Sequence, residues 1–246
     1  MIYIQSNEER TLPHHFDCAC ALWGAIDTGL EYRLTSMEEV KSKKFFTQIL
    51  KSRCFVGSVE FMTEVFNQLG KSPRIKINSD RRSETMKLMD ARNLVLSGTN
   101  KFIKPKQIKL FTGDVYDKYY ISSLDSYPDD TEVLVYEPFS HPIVSEWRLY
   151  IHHNKIVDAR NYSGDFKVIP NWNWIQKKLT NFKGFPIAYT IDIGILSSIP
   201  FGSSERENVI IEFNDMWAIG NYGMENKRYL RMLVDRYFEI IKNFIL

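Results

Sequence analysis

The sequence predicts an α+β protein, in which a small N-terminal α/β unit precedes antiparallel sheets with flanking helices. Three patterns predict it. Short apolar runs alternate with helix-spaced residues through the first third; most apolar segments after about residue 95 read as strands; and an amphipathic stripe closes the chain. The division by motif is residues 1–78 for the α/β unit and 79–246 for the second domain, itself split at residue 140.

Ile2–Ile4 reads as a strand and Val40–Leu50 as a helix. Cys54–Val56 is a short strand, and Val59, Met62, Val65, Phe66 and Leu69 follow at helical spacing up to Gly70, a natural stop. Arg74–Ile77 is a further strand candidate. In the second domain Lys101–Lys104, Val133–Tyr136, Trp147–His152 and Lys155–Ala159 favour extended structure, the last two parted by a hairpin-like His153-Asn154. A helix over Trp172–Phe182 is closed by Gly184, and strands Ala188–Leu196 and Val209–Phe213 come next. Leu230, Leu233, Val234, Tyr237, Ile240, Ile241 and Phe244 then make one apolar helix face.

Composition excludes more than it identifies. Lys+Arg 32 against Asp+Glu 30 leaves +2, too weak a field for a nucleic-acid or lipid-surface role. The 14% aromatic content falls at core spacing, which also argues against a single-strand nucleic-acid binder. No secretion signal and no membrane-length apolar run is visible, so the expectation is a cytoplasmic protein without a membrane partner. Cys18, Cys20 and Cys54 form no disulfide or zinc framework and read as small buried side chains.

Neither GxxxxGK[ST] nor GxGxxG occurs, so chemistry must come from polar residues set into strands. Asp192 interrupts the apolar YTIDIGIL; Glu212 and Asn214, two apart, end VIIEFND on one strand face. Two carboxylates and an amide oxygen make a hard donor set suited to Mg²⁺. Lys104 and Lys109 in FIKPKQIKL, and Arg148 in SEWRLYI with Glu146 on its face, supply cations for phosphate, arginine as a fork and lysine as a point charge. Between them, the run Val133–Phe139 is stopped by Glu137-Pro138 and can read an adenine edge from its backbone.

Taken in order, FIKP, VYEPF, SEWR, TIDIG and IEFND resemble the ATP-grasp enzymes, and KPKQIKLFTG with IEFNDMWAIGNYG is similar to the clade named for one arginine and two lysines, met in bacteria and bacteriophages. The resemblance covers about residues 95–225. It implies the ATP-grasp fold, with Lys104 and Lys109 on ATP phosphates and Arg148 on the transferring phosphoryl group. Asp192, Glu212 and Asn214 would carry Mg²⁺; Val135, Tyr136 and Glu137 would form the adenine hinge; Glu146 would orient Arg148 or meet the ribose; and Arg160 would be a further phosphate contact. The implied reaction joins a carboxylate, of a small molecule, peptide or protein, to an amine through an acyl phosphate. Such a protein would act in the cytoplasm, the host's if phage-encoded. A kinase-like phosphotransferase and an idle nucleotide-binding module are the alternatives. Loop 197–208 carries no assignable motif.

Overall fold

The computed structural model describes residues 1–42, 45–70, 83–107, 110–182, 184–202 and 204–245. The expected strand at Arg74–Ile77 lies outside them. The chain forms two compact units, one made of Met1–Ile77 with Ile143–Leu246, the other of Asn78–Pro142. Motif order follows the chain, whereas packing joins the last hundred residues to the first.

In the first unit, parallel strands β1 (Ile2–Gln5), β2 (Tyr32–Thr35) and β3 (Cys54–Val56) form a sheet in the order β2-β1-β3. Helices α1 (Phe16–Asp27), α2 (Met37–Lys41), α3 (Phe46–Lys51) and α4 (Val59–Asn67) connect and cover it. The single helix expected over Val40–Leu50 is two short ones. Ser36 and Glu39 form a capping box that starts α2, and it ends at Ser42 in extended backbone. The three cysteines are buried and unpaired, and burial pushes the Cys18 thiol up to about 12 and Cys20 up to about 11. They are core side chains, not ligands or nucleophiles.

The same unit holds a four-stranded antiparallel sheet, β11-β10-β8-β9, from β8 (Ile143–His152), β9 (Lys155–Gly164), β10 (Ala188–Leu196) and β11 (Asn208–Asp215). His153 and Asn154 turn β8 into β9 with φ of 49° and 60°, the left-handed pair of a two-residue hairpin turn. Strand alternation gives the sheet two unlike faces. Leu149, Ile151, Tyr189, Ile191, Ile193 and Ile210 pack with Ile175 of α6 (Trp172–Leu179). Arg148, Asp192, Glu212 and Asn214 face the other way, and Tyr150 and Ala188 on that side join the core under α7 (Asn226–Ile245). Arg236 of α7 holds Asp215 at the end of β11 through two contacts of 2.6 Å.

The second unit is an antiparallel sheet β4-β7-β5-β6, from β4 (Ser83–Lys87), β5 (Lys101–Pro105), β6 (Asp114–Tyr116) and β7 (Glu132–Tyr136). Leu88, Ala91 and Val95 of α5 (Leu88–Leu96) pack on Ile103, Val133 and Val135. Among the described residues, no helix is long and apolar enough to cross a membrane.

Helices α1 and α7 meet at Gly24, where a Cβ would lie 2.5 Å from the Asn226 carbonyl oxygen. Helix propensity alone favours alanine in α1 by about 0.5–1 kcal/mol. A backbone carbonyl cannot yield as a side chain can, so the steric term should win. Gly24→Ala is expected to destabilise by about 1–3 kcal/mol, lowering Tm by about 2–4 °C per kcal/mol. A thermal melt with raised Tm would show that the two helices separate without cost.

Candidate functional site

Backbone register builds the site. Asp192 on β10 pairs with Arg148 on β8 and with Glu212 on β11, and Arg148 pairs with Arg160 on β9. One rung across the sheet therefore reads Glu212, Asp192, Arg148, Arg160, all on one face. A bulge in β11 at Ile211 shifts the pairs on one side of the rung by one residue, and on the other side it leaves Asn214 beside Glu212 and Asp192.

Arg148 and Asp192 are buried, 6% and 2% exposed, and meet as a fork on a carboxylate: Nε donates to Oδ1 at 2.8 Å and Nη2 to Oδ2 at 2.7 Å. Burial pushes the Asp192 carboxyl above its ordinary range, opposed by the Arg148 guanidinium; Asp192 in turn holds the arginine charged against its own desolvation. The Asn214 amide donates to Asp192 Oδ2 at 3.3 Å and to Glu212 Oε1 at 3.1 Å, bridging the two carboxylates. The three proposed metal donors thus converge on one side of the sheet. The Arg148 fork, expected on phosphate, is engaged with Asp192 instead, because the register sets the two side chains opposite each other.

Two tyrosines that sequence reasoning missed enclose the guanidinium. Tyr162 and Tyr222 stack on each other with centroids 5.2 Å apart, and the Arg148 guanidinium lies 5.6 Å and 4.8 Å from their ring centres. Tyr162 is the extra residue of a bulge in β9 opposite Glu146 and Trp147, and its hydroxyl donates to Glu146 Oε2 at 2.6 Å. Glu146 thus touches one of the rings beside Arg148, an arrangement compatible with orienting it. Tyr222 sits at φ 47° in the loop after β11. Tyr150 pins that loop by donating to the Gly220 and Asn221 carbonyls, and Asn221 N–H donates to Asp17 of α1. The tail IEFNDMWAIGNYG contained this loop, but nothing in it showed that its tyrosine would reach a residue on β8. Arg160 binds Asp158 at 2.8 Å and leaves its Nε buried with no partner among the described residues.

The second unit carries the other residues singled out in the sequence. Ile103 is fully buried and Lys104 takes the opposite face, 5.5 Å from the Tyr136 ring centre, as alternation predicts. Gly113 leaves room for it, since a Cβ there would sit 2.7 Å from Lys104 Cβ. Lys109 lies outside the described residues. β7 has neighbours on both sides, and Val135 pairs with Glu84 and Ile103 while its side chain is in the core. The backbone of Tyr136 is likewise taken up by Ser83 and Phe102, so an adenine edge would have to be met beyond Tyr136, and the Glu137 carboxylate pairs with Lys101.

The donor chemistry suits a hard divalent cation: two carboxylates and an amide that bridges them. The buried pair makes a stability prediction that needs no activity. Arg148→Ala should strand a buried carboxylate and cost about 3–5 kcal/mol. Arg148→Met with Asp192→Leu should cost clearly less than the sum of the single changes. Additive costs in a denaturant-based double-mutant cycle would refute the coupling.

Residues 80–232 match the model of an ATP-grasp domain family, the second family of the clade named for one arginine and two lysines. No curated protein matches the chain. Among solved structures, the D-alanine–D-alanine ligase from Bacillus anthracis is 11% identical over 98% of each chain with a TM-score of 0.52. The D-cycloserine synthetase DcsG is 10% identical over 96% of this chain and all of its own, TM-score 0.54. The ATP-grasp ligase PsnB complexed with precursor peptide PsnA2 and AMPPNP is 11% identical over 99% and 95%, TM-score 0.50. At such identities these likenesses establish the fold, and the family match over residues 80–232 goes further: the chain belongs to the ATP-grasp domain family of the one-arginine, two-lysine clade.

Proposed function

We propose that this protein is an ATP-dependent carboxylate–amine ligase that works through an acyl phosphate and releases ADP and phosphate. The observation that carries the reading is the single-face rung of Glu212, Asp192, Arg148 and Arg160, with Asn214 bridging the carboxylates, in a chain of the ATP-grasp family. Asp192, Glu212 and Asn214 would hold Mg²⁺. When bound, the ion neutralises charge on the phosphates of ATP. Lys104 and Lys109 hold phosphates in the ground state, and the backbone at Glu137 meets adenine while Tyr136 and Val135 shape its strand. Arg148, backed by Tyr162 and Tyr222, stabilises the phosphoryl group as it leaves ADP, and Arg160 adds a second guanidinium on the next strand.

The chemistry balances with no protein nucleophile. A carboxylate oxygen of the substrate attacks the γ-phosphorus, the bond to ADP breaks, and an amine then attacks the acyl carbon and expels phosphate. The protein's part is positioning, charge stabilisation and exclusion of water. PsnB, of the same fold and solved with a precursor peptide, makes peptide carboxylates the first class to test.

Hydroxylamine tests the reading, because it traps an acyl phosphate as a hydroxamate. Protein, Mg-ATP and a pool of carboxylates, peptides included, should yield hydroxamate, ADP and phosphate. Glu212→Gln should abolish all three products at nearly unchanged Tm. AMP and pyrophosphate would sink the acyl-phosphate route, and a phosphorylated alcohol without hydroxamate would establish a kinase-like enzyme.

Arg148→Lys separates binding from chemistry. A point charge cannot hold Asp192 in a fork and also reach the phosphoryl group, so kcat should fall with little change in KM. An unchanged kcat with a raised KM, in steady-state ADP release, would remove Arg148 from the transition state.

A further inference from the structure

A cavity of about 580 Å³ opens in the first unit on the same sheet face as the rung but at the far end of β8. His152 lines it, four residues beyond Arg148, so it lies about 13 Å along the strand from the rung. Buried Tyr150, bonded to the Gly220 and Asn221 carbonyls, stands between. Leu30 and Arg53, which precede β2 and β3, place the cavity at the amino ends of those parallel strands. Ligands of open α/β sheets bind beyond the carboxyl ends. The cavity is therefore separate from the site described above.

Its lining has two parts. Leu30, Val157, Leu230 and Val234 form an apolar floor. Arg53, Lys227, Arg228 and Arg231 ring it, against one lining carboxylate, Glu225. Four lining cations against lining Glu225 and the adjacent Asp235 leave an excess of two positive charges here. The side chains of Arg53 and Lys227 make no ion pair among the described residues. Arg228 donates to the Val157 carbonyl, and Arg231 reaches Asp235 at 3.8 Å. A volume of this size accepts a small organic molecule.

A cation is the competing occupant, since His152, His153 and Asp235 could together ligate a metal. His152 already bonds Asp235 at 2.8 Å, and Arg231 stands beside the same carboxylate oxygen. The surrounding positive excess works against a divalent ion and for an anion. We propose that this cavity binds a small amphiphilic anion, its apolar body on the leucine and valine floor and its carboxylate, sulfonate or phosphate on the cationic rim.

The probe is 8-anilinonaphthalene-1-sulfonate, with neutral N-phenyl-1-naphthylamine and inorganic phosphate as controls. The sulfonate should bind one equivalent and shift the methyl NMR signals of Leu30, Leu230, Val157 and Val234. Arg53→Glu with Lys227→Glu should weaken it by about tenfold per reversed charge, and the exposed Arg231→Glu alone should act in the same direction. The neutral probe should bind at least about tenfold more weakly, and phosphate should compete poorly for want of an apolar body. Unchanged affinity in both charge-reversed proteins, methyl shifts elsewhere, or equal binding of the neutral probe would overturn the proposal. So would Zn²⁺ binding lost in His153→Ala from a protein that ignores the sulfonate.

Discussion

The fork of Arg148 on Asp192 joins the two central strands of the larger antiparallel sheet, and much of the first unit is arranged to make it tenable. Two charges taken out of water are costly unless their hydrogen-bonding capacity is met. Both contacts of the fork are short, the Asn214 amide adds a third to the carboxylate, and two tyrosine rings replace water over the guanidinium. The pair also specifies register. A slip of one residue between β8 and β10 would turn Arg148 or Asp192 toward the isoleucines under α6, where neither could find a partner.

That constraint explains why one sheet can serve stability and chemistry together. On β10 every residue is buried, yet Ile191 and Ile193 pack toward α6 while Thr190 and Asp192 face the polar side. Arg148 and Asp192 are held on the central strands β8 and β10, whose backbone is paired on both sides, while Glu212 and Asn214 come from the edge strand β11. The tyrosines arrive differently, one by a bulge in the outer strand β9 and one from a loop tied to α1 and β8. Rigid strands set the charges and irregular segments bring the rings that enclose them.

Much of this was legible in the sequence, and the exceptions share a cause. Strand Ala188–Leu196 coincides with the structure because Tyr189, Ile191, Ile193 and Ile195 recur at every second position with no competing helical period, and Cys54–Val56 is equally clear. Asp192, Glu212 and Asn214 stood out because polarity within an apolar strand is conspicuous and spacing by two assigns a face. Helices α1 and α5 were not legible. In α1 the small residues Cys18, Cys20, Ala21, Gly24 and Ala25 make the buried face, so bulky side chains do not mark it. Helix α5 is only nine residues long, with three buried. Tyr162, Tyr222 and Asp17 were invisible for a different reason: their roles depend on bulge and loop geometry across long sequence separations, which periodicity does not carry.

The engaged state of Arg148 also bears on how a metal could share Asp192. A carboxylate offers about four acceptor positions on its two oxygens. The arginine fork takes one on each oxygen, and the Asn214 amide takes a third at 3.3 Å. Turning that amide would present its oxygen in place of its NH₂ and release a position on each carboxylate. On the proposed reading, then, an entering cation need not displace Arg148. The residue it would compete with is Asn214, whose amide holds the two carboxylates together and whose oxygen would then be available as a ligand. The amide stands in for the cation's positive charge while the arginine stays fixed by Asp192 and its two rings.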